Sequence, residues 1–174
     1  SRGLGDVYKR QVLHHLGDPV SGWRVLSTLL RPGGVMKIGL YSQLARQDVI
    51  SGRAIITKHA IEPTLEGIHR ARELIAEDPA TEFLKNRHSF YSASELRDLI
   101  FHVQEHRFTL PQGANTLEAL GLQFLGFERH DQQAVHDLRN EKGDRLTDLS
   151  AWHAFETANP DTFRGMYQFW VRKL

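Results

Sequence analysis

The stretch that decides the fold runs from Val12 to Ser42 and reads VLHHLGDPVSGWRVLSTLLRPGGVMKIGLYS. Val12-Leu13 read as the last residues of a buried strand, followed by a polar loop that carries His14 and His15. Asp18-Pro19 then open a helix. An aspartate is a good N-cap, and proline fits the first helical position because its missing N–H is not needed there. Val20, Trp23, Leu26, Leu29 and Leu30 recur at helical spacing and predict its buried face. Arg31-Pro32-Gly33-Gly34 stops the helix and turns the chain. Val35–Ser42 follows as a short strand, apolar enough to be buried on at least one face. Gly39 inside it points to a close approach of backbone or ligand.

Beyond this stretch, helices and strands continue to alternate. Two amphipathic helices are expected over 43–60 and 64–77, separated by Glu62-Pro63. Ser92 and Glu95 have capping-box spacing, which predicts a helix running through the SELRDLIFHVQEHR segment to Arg107. Thr109 and Gln112 repeat that spacing with Pro111 between them, and Gly121 suits the end of the helix they open. Leu122–Glu128 reads as a strand and Arg129–Asp144 as an exposed helix and loop. A last helix stops at Pro160, before a closing strand over Met166–Leu174 whose Tyr167, Phe169 and Val171 fall on one face. The alternation predicts an α/β fold.

The bulk properties bound the function. The chain has 174 residues, enough for one domain with a real core, and 40% of them are hydrophobic. Lys and Arg number 22 against 21 acids, a balance that disfavours a broad nucleic-acid surface. There is no cysteine, so disulfides and thiolate metal sites are excluded, and a reducing compartment such as the cytoplasm fits. No apolar run approaches the roughly 20 residues of a membrane span.

The ordered set Val12-Leu13-His14-His15-Leu16, Asp18-Pro19, Leu30-Arg31-Pro32-Gly33-Gly34 and Val35–Tyr41 resembles the second half of a class I S-adenosylmethionine (SAM)-dependent methyltransferase. The segments FYSASELRDLIFHVQEHRFTLPQ, LGLQFLGFE and DLSAWHAFETANPDTFRGMYQFWV are similar to a bacterial subgroup of that family, some of whose members carry tetratricopeptide repeats upstream. The resemblance covers residues 12–174. It implies a truncated Rossmann-like sheet with helices inserted before the last two strands, and SAM as cofactor in the intact protein.

It also implies something absent. Such enzymes bind SAM with a glycine-rich turn after the first strand and an acid that accepts from the ribose hydroxyls after the second. Gly3 and Gly5 have no strand before them and no room for that acid before Val12. Asp6–Gln11, DVYKRQ, matches what a sequencing-library transposon adapter encodes in one frame. The expectation is therefore that residues 1–11 are an artefactual tail outside the sheet, and that 12–174 are the carboxyl-terminal part of a methyltransferase domain, inactive as given.

Ligands in open α/β sheets bind outside the carboxyl ends of the strands. That places backbone at Val12, Leu13 and His14 against SAM, and His14 or His15 where a general base would stand near neutral pH. The plain reading of these histidines is that one packs under the loop while the other bonds backbone. Tyr41, Ser42, His102 and Trp152 are candidates for the substrate pocket, Trp152 with His153 as a lid helix or simply as core. The acceptor stays open between a small molecule, a protein side chain and a glycan.

Two rivals remain. His102-x-x-Glu105-His106 fits an inverted zincin pattern if both histidines share a helix face, but ten histidines make chance matches common, and no metal site is expected. Arg97, His102 and Arg107 could instead grip an acidic substrate. A binding or interaction domain that lacks a donor site is the alternative to an enzyme.

Overall fold

The computed structural model describes residues 6–8, 13–102, 105–128, 132–142 and 145–174. In chain order, β1 (Asp6–Tyr8) is followed by a 3-10 turn at Leu13–His15, α1 (Pro19–Leu29) and β2 (Val35–Ser42). The helices α2 (Gln47–Lys58), α3 (Leu65–Glu77), α4 (Glu82–Lys85), α5 (His88–Tyr91) and α6 (Ala93–Phe101) come next. The chain closes with β3 (Arg107–Phe108), α7 (Leu110–Ala119), β4 (Leu122–Phe127), α8 (Gln132–Lys142), α9 (Leu149–Ala158) and β5 (Tyr167–Lys173). These divide into two compact units, Ser1–Ala45 with Gln104–Leu174, and Arg46–Val103.

The first unit is built on a mixed sheet in the order β1-β2-β5-β4, with β3 pairing the end of β2. β1 and β3 run parallel to β2, whereas β5 lies antiparallel between β2 and β4. The closing strand is thus antiparallel in the same sheet. Gly126, at φ +137°, sits where the β4–β5 register shifts, a backbone region where a side chain would be strained. Met36, Ile38 and Leu40 share one sheet face with Tyr167, Phe169 and Val171. Trp23 of α1, Leu117 of α7, Leu138 of α8 and Phe155 of α9 join them in one core. Trp23 is fully buried, its ring 6.1 Å from that of Phe169.

Local signals set the helix ends. Asp18 accepts from the Ser21 amide at 3.1 Å, and Thr109 with Gln112 forms a reciprocal capping box. Gly121 follows α7 at φ +62°, the left-handed position that favours glycine.

Several expectations need correction, the first being Leu29, which is 56% exposed rather than part of the buried face of α1. The parallel partner of β2 is Asp6–Tyr8, paired in register with Val35–Lys37, and not Val12-Leu13. Strand pairing uses backbone groups, so the polar composition of this segment does not keep it out of the sheet. Leu13 instead begins the 3-10 turn, and its buried side chain joins the core. α2 begins at Gln47 rather than Gln43, after a turn in which the Ser42 hydroxyl accepts from the amides of Leu44 and Ala45. α6 ends at Phe101, well before Arg107, and His102 is extended at φ −62°, ψ 125°. α8 is not simply exposed, since Leu138 is fully buried.

The second unit is all-helical with its own core, in which Val49, Ala71, Ile75, Leu84 and Leu96 are fully buried. Inside it Arg87 donates through Nε and Nη2 to Asp48 Oδ2, at 3.2 and 3.1 Å. Asp48 Oδ1 accepts from the Val49 amide at 2.8 Å.

Candidate functional site

The carboxyl end of β2 gathers the polar side chains of the sheet unit. Tyr41 and Ser42 close the strand, and β3 pairs alongside with Arg107 opposite Tyr41 and Phe108 opposite Ser42. Neighbours in parallel register share a sheet face, so the alternation splits these residues cleanly. Ser42 and Phe108 turn into the core and are buried, while Tyr41 and Arg107 stand half-buried on the opposite face. The exposed His15 ring meets Tyr41 edge-on, with centroids 6.5 Å apart and planes at 77°. His106, next to Arg107, lies within electrostatic reach of Asp18. The Asp18 carboxyl is held below the usual aspartate value chiefly by the Ser21 hydroxyl, which donates to it at 2.5 Å.

Beneath this edge lies a buried polar hub. Ser42 Oγ donates to Glu156 Oε1 at 2.5 Å, and the Tyr167 hydroxyl donates to the same carboxyl at 2.7 and 2.9 Å. Ser42 Oγ in turn accepts from the amides of Leu44 and Ala45 at 3.1 and 3.0 Å. Helix α9 therefore fixes the course of the chain as it leaves β2. Glu156 is fully buried, and loss of solvent pushes its carboxyl above the ordinary glutamate value. The two hydroxyls and His153 pull the other way. Burial, followed by the Glu156 charge, raises the Tyr167 phenol. His153 is partly exposed, and its Nδ1 is buried without a hydrogen-bond partner.

The sequence-derived candidates separate as follows. His15 and Tyr41 belong to this edge, whereas Ser42 turns into the core, fully buried against Glu156, and does not line a substrate pocket. Leu13 offers the edge backbone only, and its carbonyl accepts from the Leu16 amide at 3.2 Å. His14 belongs to the 3-10 turn, but its side chain lies outside the described residues, as does the whole of Val12. Trp152 is core. It is 2% exposed, its Nε1 donates to the Leu146 carbonyl at 3.0 Å, and it stacks edge-on against Phe127 and Phe155. His102 is exposed at the end of α6 in the helical unit. Since that helix has already ended, His102 and His106 are not one helical turn apart, which removes the geometry the zinc pattern requires. Among the described residues no three His, Asp or Glu are grouped to hold a metal ion.

Glu156 and Tyr167 were not singled out by sequence reasoning. The available signal was an acid at position 156 on the same helical stripe as the apolar Trp152, four residues earlier. A carboxylate on a buried stripe needs partners, and here they are two hydroxyls.

Comparisons with known proteins place the fold. No family model matches the chain. An uncharacterized protein of Synechococcus sp. is 28% identical over 156 residues, which cover 83% of this chain and 37% of that protein. The structure of PKMT2 from Rickettsia typhi in complex with AdoHcy superposes with a TM-score of 0.66 at 13% identity, covering 95% of this chain and 35% of that one. A second structure of PKMT2 from Rickettsia typhi gives 0.65 at 14% identity, covering 95% and 34%. The chain thus shares the mixed α/β fold of PKMT2 and spans about a third of the length of the proteins it matches. Among the described residues no helix is long and apolar enough to cross a membrane.

Proposed function

We propose that the chain is the carboxyl-terminal part of a class I, Rossmann-like SAM-dependent methyltransferase domain, supplying the side of the site that faces the methyl acceptor. The observation behind this reading is the sheet order β1-β2-β5-β4 with one antiparallel strand inside it. That sheet belongs to a fold shared with a structure that holds AdoHcy.

What the described residues offer to SAM is one wall. The 3-10 turn at Leu13–His15 would bring backbone to the donor, and Tyr41 would border the reacting methyl. The glycine-rich turn and ribose acid of such sites are not among these elements, so this wall fits the reactive end of the donor rather than its nucleoside. SAM supplies the electrophilic methyl, and the chain's own part is to position the acceptor and, where the acceptor must lose a proton, to take it. His15 is suited to that task because it is exposed and held edge-on by Tyr41. Glu156 is a positioning residue, acting through Ser42 on the segment that leaves β2.

The test is isothermal titration with AdoHcy of the 174-residue chain and of the intact Synechococcus relative. The intact relative should bind at micromolar concentration and the chain at least 100-fold more weakly, the loss expected when several polar contacts to the nucleoside are missing. A relative that does not bind AdoHcy would overturn the methyltransferase reading. Micromolar binding by the chain would place the whole donor site within it.

A further inference from the structure

Arg107, which with Arg97 and His102 offers in sequence a grip on an acidic substrate, is a half-buried guanidinium at the carboxyl end of β2, apart from the exposed His102 at the end of α6. The Arg107 Nε is buried without a hydrogen-bond partner. None of the ion pairs among the described residues involves it. A buried, unsatisfied donor on a charged group is costly, and native structures keep few of them without a reason. Arg72 is the other arginine with an unpartnered buried nitrogen, but its Nε donates to the Phe90 carbonyl at 3.0 Å and its guanidinium lies over the Phe90 ring. Among the described residues Arg107 has no such partner.

Its position gives the reason. Parallel pairing puts Arg107 beside Tyr41, on the sheet face away from the core and at the carboxyl end of β2, where the His15 ring also arrives. A planar guanidinium with a free Nε–H is built for two parallel hydrogen bonds to one carboxylate or phosphate group. We propose that Arg107 recognises an anionic group, carboxylate or phosphate, on the methyl acceptor, with Tyr41 and His15 flanking that group. The assignment to the acceptor rests on the methyltransferase reading; the anion site itself does not.

Arginine Nε–Hε resonances of the isotopically labelled 174-residue chain provide the readout. The chain is titrated with inorganic phosphate and, separately, with acetate, at ionic strength held constant with chloride and without SAM. The Arg107 signal, identified by its loss in Arg107→Gln, should move saturably with at least one anion, and the stronger of the two names the group. Arg107→Lys keeps the charge but loses the fork, and should weaken binding about tenfold. Arg24→Gln removes an exposed charge on α1 and should leave binding unchanged.

An Arg107 signal that moves with neither anion overturns the proposal, as does Arg107→Lys binding as tightly as wild type. If AdoHcy moves that signal while both anions fail, the guanidinium serves the donor's carboxylate and the acceptor assignment falls. Anion binding by the chain combined with no AdoHcy binding by the intact relative would keep the Arg107 site and discard the methyltransferase reading. AdoHcy binding by the relative without anion binding by the chain would do the reverse.

Discussion

Asp48 and Glu156 are both buried carboxylates, one in each unit, and they are satisfied in opposite ways. Asp48, 7% exposed, faces the Arg87 guanidinium across a two-point contact. Glu156, fully buried, accepts, among the described residues, from the neutral hydroxyls of Ser42 and Tyr167. The Asp48–Arg87 ion pair ties α2 to the start of α5, which is a structural duty. A carboxyl served by neutral donors in a dry site is free to change protonation, and it sits directly behind the proposed acceptor edge. The first kind of burial braces a unit, whereas the second makes a unit responsive to pH.

The largest effect expected from breaking this contrast is in the helical unit. Arg87→Met strands a buried charge, and should cost about 3 kcal/mol, the low end of the usual range because the Arg87 side chain is 22% exposed. The three tryptophans, Trp23, Trp152 and Trp170, all lie in the sheet unit, so their fluorescence reports that unit alone. In urea, the ellipticity of Arg87→Met should fall early while its tryptophan transition stays in place. Adding Asp48→Asn should recover part of the loss by removing the stranded charge.

In the sheet unit, Glu156→Leu leaves two buried hydroxyls without an acceptor and should cost about 2 kcal/mol, read by tryptophan fluorescence. Glu156→Gln keeps an acceptor and isolates the charge. Because burial raises the folded-state value of this acid, the folded chain holds the proton more tightly than the unfolded chain. Wild-type stability should then decline as pH climbs from the ordinary glutamate value near 4.5 through the raised one. The Glu156→Gln variant lacks that decline, so its deficit relative to wild type should shrink with rising pH. A deficit constant from pH 4 to 8 would show that Glu156 is not perturbed as described.

Smaller effects sharpen the same contrast. Ser42→Ala removes the donor to Glu156 and the acceptor for two amides, and should cost about 1 kcal/mol by urea denaturation. Asp148→Ala removes the α9 N-cap and should cost about the same or less. Its carboxyl is drawn down to about 2, first by the Ser150 hydroxyl. This contribution therefore has the opposite sign of pH dependence from that of Glu156. It is complete above the ordinary value of 3.8 and is lost as pH falls toward 2.

Much of the fold was legible because it is written in local signals. Pro19 after Asp18, the box of Thr109 and Gln112, and Gly121 set helix ends within a few residues of chain. The alternation of Tyr167, Phe169 and Val171 set the core face of β5. Legibility failed where a tertiary partner decides. Val12-Leu13 reads equally well as a strand end or as an anchored turn, and the core contact of Leu13 selects the turn. The helical pattern from Ala93 continues past Phe101 in sequence, yet Arg107 and Phe108 are claimed by the end of β2. The candidate site was only half visible. Topology alone places His15, Tyr41 and Ser42 at the carboxyl edge, but Glu156 meets Ser42 across 114 residues, a separation no periodicity reports.

One backbone contact has consequences for how such a chain can diversify. Where Phe108 pairs with Ser42, the Gln43 amide also donates to the Phe108 carbonyl at 2.9 Å, so the sheet unit closes on itself just before Arg46 and just after Val103. Paired strands lie about 4.8 Å apart, a gap that a few residues can bridge. The segment 44–106 thus leaves and rejoins the sheet unit at neighbouring backbone positions. Its length, its helix number and the surface it displays can be exchanged wholesale at little cost in chain entropy, since closing a longer loop grows only logarithmically more expensive. Strand register, the hub around Glu156 and the edge that holds Arg107 would pass through such an exchange intact.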